Sequence, residues 1–223
     1  PRPTPKPSSA ASDVYKRQLL HGLFCNRFWM SYIAWQLRKR GFKTHSYSYQ
    51  TVKKSVPDEA KRLIEEIKNL QSDTPLFWVG HSMGGIMIRH IRALAPDLFK
   101  GSRVVTLGTP HRGSFYAQTL CKRSAIFRWM LGCSLNYSLN GEIPLWDPAL
   151  PLYSIAGTRS GIENWMRIFP KNVINDGLVA LEETQMPEFA AKAEVPLGHA
   201  ALLINKKVMT LIANWLEKLE IDT

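Results

Sequence analysis

The stretch Leu76-Phe77-Trp78-Val79-Gly80-His81-Ser82-Met83-Gly84-Gly85 decides how this chain folds. Four apolar residues run into Gly-x-Ser-x-Gly, and apolar positions at helical spacing follow at once over 86–94. This order predicts a strand, a sharp turn and a helix, with Ser82 exposed at the apex of the turn as a nucleophile. Glycines flank it because a Cβ there would strike the neighbouring strand or helix. The alternative is a tight turn that happens to carry a serine. We expect His81 to point away from the apex.

The composition is that of an ordinary globular protein with one sizeable core. The chain has 223 residues, of which 45% are hydrophobic and 21% charged. No window approaches the ~18 apolar residues that a membrane span requires. Cys25, Cys121 and Cys133 are too few and too scattered for a disulfide framework or a zinc site. We expect no metal and free thiols, with a Cys121–Cys133 pair as the alternative in an oxidising compartment.

The formal net charge of +11 is concentrated in short basic clusters, at 38–40, 53–54 and 122–123 among others. Such clusters attract anionic lipid or nucleic acid. The sequence lacks the basic motif with interleaved aromatic residues that is typical of a nucleic-acid module. We therefore expect solvated helix ends and loops and no nucleic-acid partner. A transient contact with a membrane surface or lipid interface is left open, as is the oligomeric state.

Residues 1–18 differ from the rest of the chain. The first twelve are rich in Pro, Ser and Ala without periodicity, which predicts disorder. No apolar segment follows the basic residues, so they do not form a secretory signal. Residues 13–18 look like the translation of a common sequencing adapter. We expect a disordered, non-native tail over 1–18 that has replaced the original start. The compartment stays open, with the cytoplasm as the expectation.

From residue 19 onward, strand and helix patterns alternate. Strands are predicted at 19–20, 42–49, 76–79, 104–107, 152–156 and 193–196, and helices at 28–40, from Ser55 through 71, and at 200–219. Ser55 and Asp58 form a predicted capping box. Short apolar runs separated by helices favour a mostly parallel sheet with helices on both faces. The sequence therefore predicts one α/β domain over 19–223.

The segment 110–151 is too long for an ordinary strand-to-helix loop, which has ~2–6 residues. Its apolar run Ala125–Leu131 predicts a helix. That helix is either a lid over the site, with an apolar underside for an acyl chain, or a crossover helix packed on the sheet. As a lid it would bring Phe127, Trp129 and Met130 to the substrate.

A serine hydroxyl needs a base within hydrogen-bond reach, and the base needs a third group to orient it. His199 lies in a turn between the last predicted strand and the last helix, at the sheet edge where open α/β sheets bind ligands. We predict that His199 is the base and that Asp176 orients it, although Asp-Gly is also a common turn pair. The competing carboxylates are Glu142, Asp147 and Glu163.

Acyl transfer also needs donors for a tetrahedral oxyanion, each worth ~3 kcal/mol. The backbone N–H of Met83, directly after the nucleophile, is one predicted donor. The N–H of Leu23, in the loop after the first strand, is the second, because Gly22 lets the backbone approach closely. His21 is then interpreted as a residue that shapes this loop.

Five segments carry a family resemblance: Leu20-His21-Gly22-Leu23, Gly80-His81-Ser82-Met83-Gly84-Gly85, Leu107-Gly108-Thr109-Pro110-His111-Arg112-Gly113-Ser114, Asp176-Gly177-Leu178-Val179 and Gly198-His199. They resemble the lipase and esterase branch of the α/β-hydrolase superfamily, over essentially 19–219. The resemblance implies that fold, hydrolysis of a carboxylic ester through an acyl-enzyme, a small-molecule ester or lipid substrate, and no metal or cofactor. The first strands of the full family sheet are lacking, so we expect a sheet reduced or truncated at its N-terminal edge.

Two further functions remain open beside a serine esterase or lipase. The same triad serves acyltransferases and thioesterases, because the fold does not determine which molecule receives the acyl group. An inactive scaffold that binds a lipid surface would account for the basic charge and the apolar run in 110–151. Neither the acyl-chain length nor the alcohol moiety follows from the sequence.

Overall fold

A computed structural model of the protein describes residues 16–70, 75–160, 168–187 and 189–217. Six strands form one sheet: β1 (Lys16–Leu20), β2 (Lys43–Tyr47), β3 (Leu76–His81), β4 (Val104–Leu107), β5 (Leu152–Gly157) and β6 (Ala191–Val195). Their order is β2-β1-β3-β4-β5-β6, and every neighbouring pair is parallel. The predicted parallel sheet is confirmed.

Six α-helices accompany the sheet in the described residues: α1 (Ser31–Lys39), α2 (Val56–Leu70), α3 (Met83–Leu94), α4 (Phe115–Arg123), α5 (Ala125–Leu131) and α6 (Lys206–Glu217). None of these helices is both long and apolar enough to cross a membrane. Helices α1 and α6 bury Leu37 and Ile212 against Phe77 on one face of the sheet. Helices α2 and α3 bury Leu63 and Met87 on the other face. Helices therefore cover both faces, as predicted.

The central strands are buried on both faces, which explains their uninterrupted apolar runs. All six residues of β3 are buried, as are all four of β4 and all six of β5. Each large side chain removed from water in this way stabilises the fold by ~1.5–3 kcal/mol. The carboxyl ends of these strands are thereby fixed in space, and Ser82 follows directly after β3.

The predicted helix ends need correction at two places. The helix expected over 28–40 begins as a 3₁₀ turn, Arg27–Met30, before α1. The helix expected over 200–219 is likewise split, because Ala200–Leu203 forms a 3₁₀ turn and α6 begins only at residue 206. The side chain of Asn205 accepts from the backbone N–H of Lys207 at 2.9 Å, so it acts as a new helix cap. Of the predicted capping box, the Ser55 half is present: its Oγ accepts from the backbone N–H of Asp58 at 3.3 Å. The Asp58 carboxylate accepts from the Ser55 hydroxyl at 2.6 Å.

Strand β1 begins three residues before the predicted boundary of the tail. Arg17 is fully buried, and its guanidinium lies 3.6 Å from the ring centroid of Phe42. An arginine can be buried when its guanidinium stacks on an aromatic face. The sequence alone did not indicate this, because a charged residue is normally expected at the surface. Residues 16–18 therefore belong to the sheet, and the remainder of the predicted tail lies outside the described residues.

Residues 110–151, called the cap below, connect β4 to β5 and contain α4 and α5. Leu131 and Leu139 of the cap pack against Ile86 at the start of α3. Tyr116 and Leu120 of α4 pack against Phe169, in a second cluster separate from the two sheet-face cores. Helices α4 and α5 thus pack against Ile86 of α3 and against Phe169, and a lid function for them stays a prediction.

Candidate active site

The turn between β3 and α3 holds Ser82 in a strained backbone conformation. Its φ is +54° and its ψ is −123°, a region that residues other than glycine rarely adopt. A Cβ on Gly80 would lie 2.6 Å from the backbone nitrogen of Gly85, and one on Gly84 would lie 2.3 Å from the carbonyl oxygen of Leu20. Both glycines are therefore required by close packing, and the predicted elbow is present.

Asp176 and His199 form a buried pair. The Nδ1–H of His199 donates to Oδ2 of Asp176 at 2.7 Å, and the backbone N–H of His199 donates to the carbonyl of Asp176 at 2.9 Å. The other carboxylate oxygen, Oδ1, accepts from the N–H groups of Leu178 and Val179. Because the proton on Nδ1 is donated to Asp176, the neutral imidazole of His199 carries its lone pair on Nε2. That nitrogen can act as a base.

Gly108, at the end of β4, passes directly beside this pair. Its φ is +53°, and a Cβ at this position would lie 2.9 Å from Oδ2 of Asp176 and 3.0 Å from Nδ1 of His199. Only glycine fits both the backbone conformation and the space. The segment after β4, quoted above for its resemblance, therefore packs on the acid–base pair.

Ser82 and His199 line one apolar pocket of about 350 Å³. Its walls come from the loop after β1, from the cap and from the Asp176 loop, and they include Leu23, Trp29, Leu120, Leu131, Leu139 and Val179. A pocket with apolar walls and a few convergent polar groups suits a largely apolar ligand. The structure thus brings the predicted nucleophile and base together beside space for such a group.

The two predicted oxyanion donors, Leu23 and Met83, lie beside or directly after residues of this pocket. Leu23 lines the pocket, and Met83 is the first residue of α3 after Ser82. Among the hydrogen bonds of the described residues, neither backbone N–H donates to a protein acceptor. Both amides are therefore able to donate to a bound group, and their role in an oxyanion hole stays a prediction.

His21 shapes the loop that carries Leu23. Its ring stacks on Tyr49 at 4.1 Å between centroids, and its Nδ1–H donates to the carbonyl of Gly22 at 2.9 Å. Burial lowers the pKa of His21, which favours the neutral ring. Phe24, one residue after Leu23, has a φ of +56°. The loop is thus held in one conformation by the stacked histidine, in agreement with the interpretation from sequence.

His81 does not point away from the apex, contrary to our expectation. It lines the pocket, its ring centroid is 4.7 Å from that of His199, and its Nε2–H donates to the carbonyl of His199 at 3.3 Å. Burial holds the pKa of His81 well below its usual range, and His199 adds to this effect. Gly22 leaves the room for the ring, because a Cβ there would lie 3.2 Å from Nδ1 of His81.

The residues of α5 that we predicted as substrate contacts lie away from the pocket. The side chain of Trp129 is 80% exposed, Met130 is also exposed, and Phe127 packs beside Leu120 and Phe169. Leu131 is the residue of α5 that lines the pocket. The apolar run was correctly predicted as a helix, but its rotation turns Leu131 toward the pocket, Trp129 toward solvent and Phe127 toward Phe169.

The competing carboxylates do not contact His199 where they are described. Asp147 pairs with Arg92, and Glu142 is exposed. Glu163 lies outside the described residues. The three cysteines, Cys25, Cys121 and Cys133, are free thiols. Among the described residues, no group of three or more His, Cys, Asp or Glu side chains is placed to hold a metal ion.

Sequence reasoning missed two residues beside the site. The Thr109 hydroxyl donates to the carbonyl of Ser82 at 2.9 Å and thus supports the strained turn. Glu183 is a buried carboxyl that accepts from the backbone N–H groups of Phe115 and Ala180. Only its position three residues after Ala180 could have indicated such a role, because a reach back over three residues is typical of helix capping.

The parallel sheet, the strained serine turn and the buried Asp–His pair define an α/β-hydrolase fold. Similar solved structures confirm that fold. A lipase of Bacillus licheniformis in its mature form has a TM-score of 0.75 at 18% identity, with 90% of this chain and 91% of that chain covered. A metagenomic carboxyl esterase has a TM-score of 0.69 at 18% identity, with 97% and 79% covered.

Curated relatives confirm the resemblance to lipases over part of the sequence. A triacylglycerol lipase of Burkholderia plantarii is 28% identical over 128 residues, which are 50% of this chain and 35% of that protein. One of Pseudarthrobacter phenanthrenivorans is 39% identical over 54 residues, which are 24% and 16%. The chain therefore matches about a third, or less, of the length of these relatives. No protein-family profile matches it.

Proposed function

We propose that the protein is a serine-dependent carboxylic ester hydrolase that acts through an acyl-enzyme on esters with apolar acyl groups. The observation that carries this proposal is the His199–Asp176 pair at 2.7 Å, buried beside the same apolar pocket as the strained Ser82. The lipase and esterase names of the similar proteins support the reaction class.

In the first half of the reaction, Oγ of Ser82 attacks the ester carbonyl carbon while Nε2 of His199 takes the hydroxyl proton. Asp176 holds the ring in this orientation and stabilises the imidazolium that forms. The carbonyl oxygen becomes an oxyanion, which the N–H groups of Leu23 and Met83 stabilise. His199 then passes its proton to the departing alcohol, and the acyl group stays bound to Ser82.

In the second half, water replaces the alcohol. His199 takes a proton from the water as its oxygen attacks the acyl carbon. Collapse of the second tetrahedral intermediate breaks the bond to Oγ of Ser82, and His199 returns the proton to that oxygen. The products are the free carboxylic acid and the regenerated serine.

The pocket walls argue for an apolar acyl group. Leu23, Leu120, Leu131 and Leu139 line the space beside Ser82. Each methylene group transferred from water to such a wall contributes ~0.8 kcal/mol. We therefore expect kcat/KM to rise with acyl length until the pocket is filled.

The test is a Ser82→Ala variant assayed with p-nitrophenyl esters. We expect turnover to fall by about 10⁴-fold or more, because the nucleophile is lost. A fluorophosphonate probe should label the unmodified protein and leave the variant unlabelled. Ser31→Ala, at an exposed position in α1, is the matched control and should keep both properties.

Unchanged turnover in Ser82→Ala would refute the proposal. If turnover is lost instead, product analysis with an added alcohol separates hydrolysis from acyl transfer. An acyltransferase would form a new ester in preference to the free acid. A tomato methylketone synthase shares this fold at a TM-score of 0.61, so the fold alone does not determine the reaction.

A further inference from the structure

Glu183 is a buried carboxyl that the proposed mechanism does not use. It lies in the 3₁₀ turn Leu181–Thr184, seven residues after Asp176, and its exposed fraction is 9%. Its neighbour Glu182 is exposed. Burial of a carboxyl group is costly unless hydrogen bonds compensate for the lost water.

The two oxygens of Glu183 bind two different walls of the pocket. Oε1 accepts from the backbone N–H of Phe115, the first residue of α4. Oε2 accepts from the backbone N–H of Ala180 at 2.7 Å. Tyr116, next to Phe115, lines the pocket, and so does Val179, next to Ala180. One side chain therefore bridges the cap and the Asp176 loop.

The Ala180 side of this bridge leads directly to the acid–base pair. The N–H of Val179 donates to Oδ1 of Asp176 at 2.8 Å, and Oδ2 of that residue holds His199. The backbone N–H of Asp176 in turn donates to the carbonyl of Val179. A shift of Ala180 would therefore move the groups that hold the catalytic carboxylate in place.

We propose that Glu183 is a positioning residue. Its carboxylate fixes the position of the cap relative to the Asp176 loop on the two sides of the pocket. It thereby sets both the fit of the acyl group and the alignment of His199. This inference rests on the proposed function, since it concerns the same pocket.

The ionised form is the one suited to this task. A carboxylate accepts at both oxygens, whereas protonation places a hydrogen on one oxygen opposite an amide N–H. The N-terminus of α4 also favours a negative charge at Oε1. Protonation of Glu183 should therefore weaken one of the two bonds and loosen the bridge.

The carboxyl group of Glu183 loses its proton near neutral pH, because its pKa is about 7. Burial raises the pKa of Glu183 to about 7. The two backbone hydrogen bonds lower the pKa, and the negative charge of Asp176 raises it further. From α4 the facing group is the backbone N–H of Phe115. Within its own turn, the side chain of Glu182 is exposed.

The first test compares pH profiles of kcat/KM for Glu183→Gln with those for the matched control Glu182→Gln. In the unmodified protein, ionisation of Glu183 should raise kcat/KM in addition to ionisation of His199, so log(kcat/KM) should rise with pH more steeply than a single ionisation allows. In Glu183→Gln only one ionisation should remain. Since glutamine accepts with one oxygen, kcat/KM for long acyl esters should also fall about tenfold, mainly through KM. Glu182→Gln should match the unmodified protein.

The second test uses hydrogen exchange in the unmodified protein and so does not depend on the folding of a variant. Protection of the Phe115 and Ala180 amides should fall as the pH is lowered through about 7. Protection independent of pH, or an unchanged slope in a folded Glu183→Gln, would overturn the inference. If the unmodified protein hydrolyses no ester, the proposed function fails, and the exchange measurement alone decides the role of Glu183.

Discussion

Two regions of the molecule are built in different ways: the cap, and the edge of the sheet at the carboxyl ends of its strands, called the edge below. At the edge, Ser82, Asp176 and His199 follow strands or their loops and are held by backbone hydrogen bonds and tight glycine packing. In the cap, α5 contacts the pocket through Leu131 while Ile126 and Trp129 are 69% and 80% exposed. Under the proposed function, the edge would supply the reacting groups and the cap would limit the size of the acyl group.

The largest effect should come from breaking the edge at Asp176. In Asp176→Asn the remaining oxygen can still accept from Leu178 and Val179, but the amide group would face Nδ1 of His199. The ring would then adopt the tautomer with the proton on Nε2, which cannot act as a base. We expect kcat to fall by about 10⁴-fold with the fold retained.

Steady-state kinetics and circular dichroism of Asp176→Asn check this expectation. Asp147→Asn is the matched control, because Asp147 pairs with Arg92 away from the pocket and should leave kcat unchanged. If Asp176→Asn kept kcat within tenfold, another carboxylate would have to orient His199, and the described edge would not be the whole catalytic apparatus.

A smaller effect should come from the inner side of the cap. Leu131 is buried and lines the pocket, so Leu131→Ala should lower the free energy of unfolding by about 2–4 kcal/mol. It should raise KM for long acyl esters while kcat for an acetate ester stays within a few fold. Denaturant unfolding and an acyl-length panel measure both.

Leu145→Ala is the control for this cap variant, since Leu145 is 93% exposed within the cap and should change neither quantity. An equal loss of kcat for short and long esters in Leu131→Ala would instead mean that the cap also aligns the catalytic groups.

The smallest effect should come from the outer side of the cap. Because Trp129 is mostly exposed, Trp129→Ala should change the free energy of unfolding by no more than about 0.5 kcal/mol. Its kcat/KM for dissolved esters should equal that of the unmodified protein. A loss seen only with micellar substrate would assign this surface to lipid contact, and a loss with dissolved substrate would show that Trp129 itself reaches the substrate.

Most of the edge could be predicted because its residues are specified locally. The elbow needs small residues at fixed offsets from Ser82, and a base and an acid must follow later strands, so Asp176 and His199 could be proposed from position alone. The strand runs of β3, β4 and β5 were equally clear because burial on both faces leaves no polar alternation.

The remaining features depend on contacts between distant segments, which a single sequence does not reveal. Arg17 is buried because Phe42 lies over it, and Glu183 is buried because α4 supplies a donor. The orientation of α5 depends on its rotation about its own axis. Each residue along a helix turns the side-chain direction by about 100°. Because the run at Ala125–Leu131 has apolar residues on both sides, the sequence does not show which of them faces inward.

The parallel order of the sheet also has a consequence for how the protein is made. Parallel strands cannot be joined by hairpins, so every pairing waits for a crossover to be synthesised, and such non-local contacts form slowly. His81 and His199, which touch in the finished site, are 118 positions apart. A nascent chain that ends before residue 199 would already contain the serine turn but not His199, the proposed base. Under the proposed mechanism, activity would therefore appear only after residue 199 has left the ribosome.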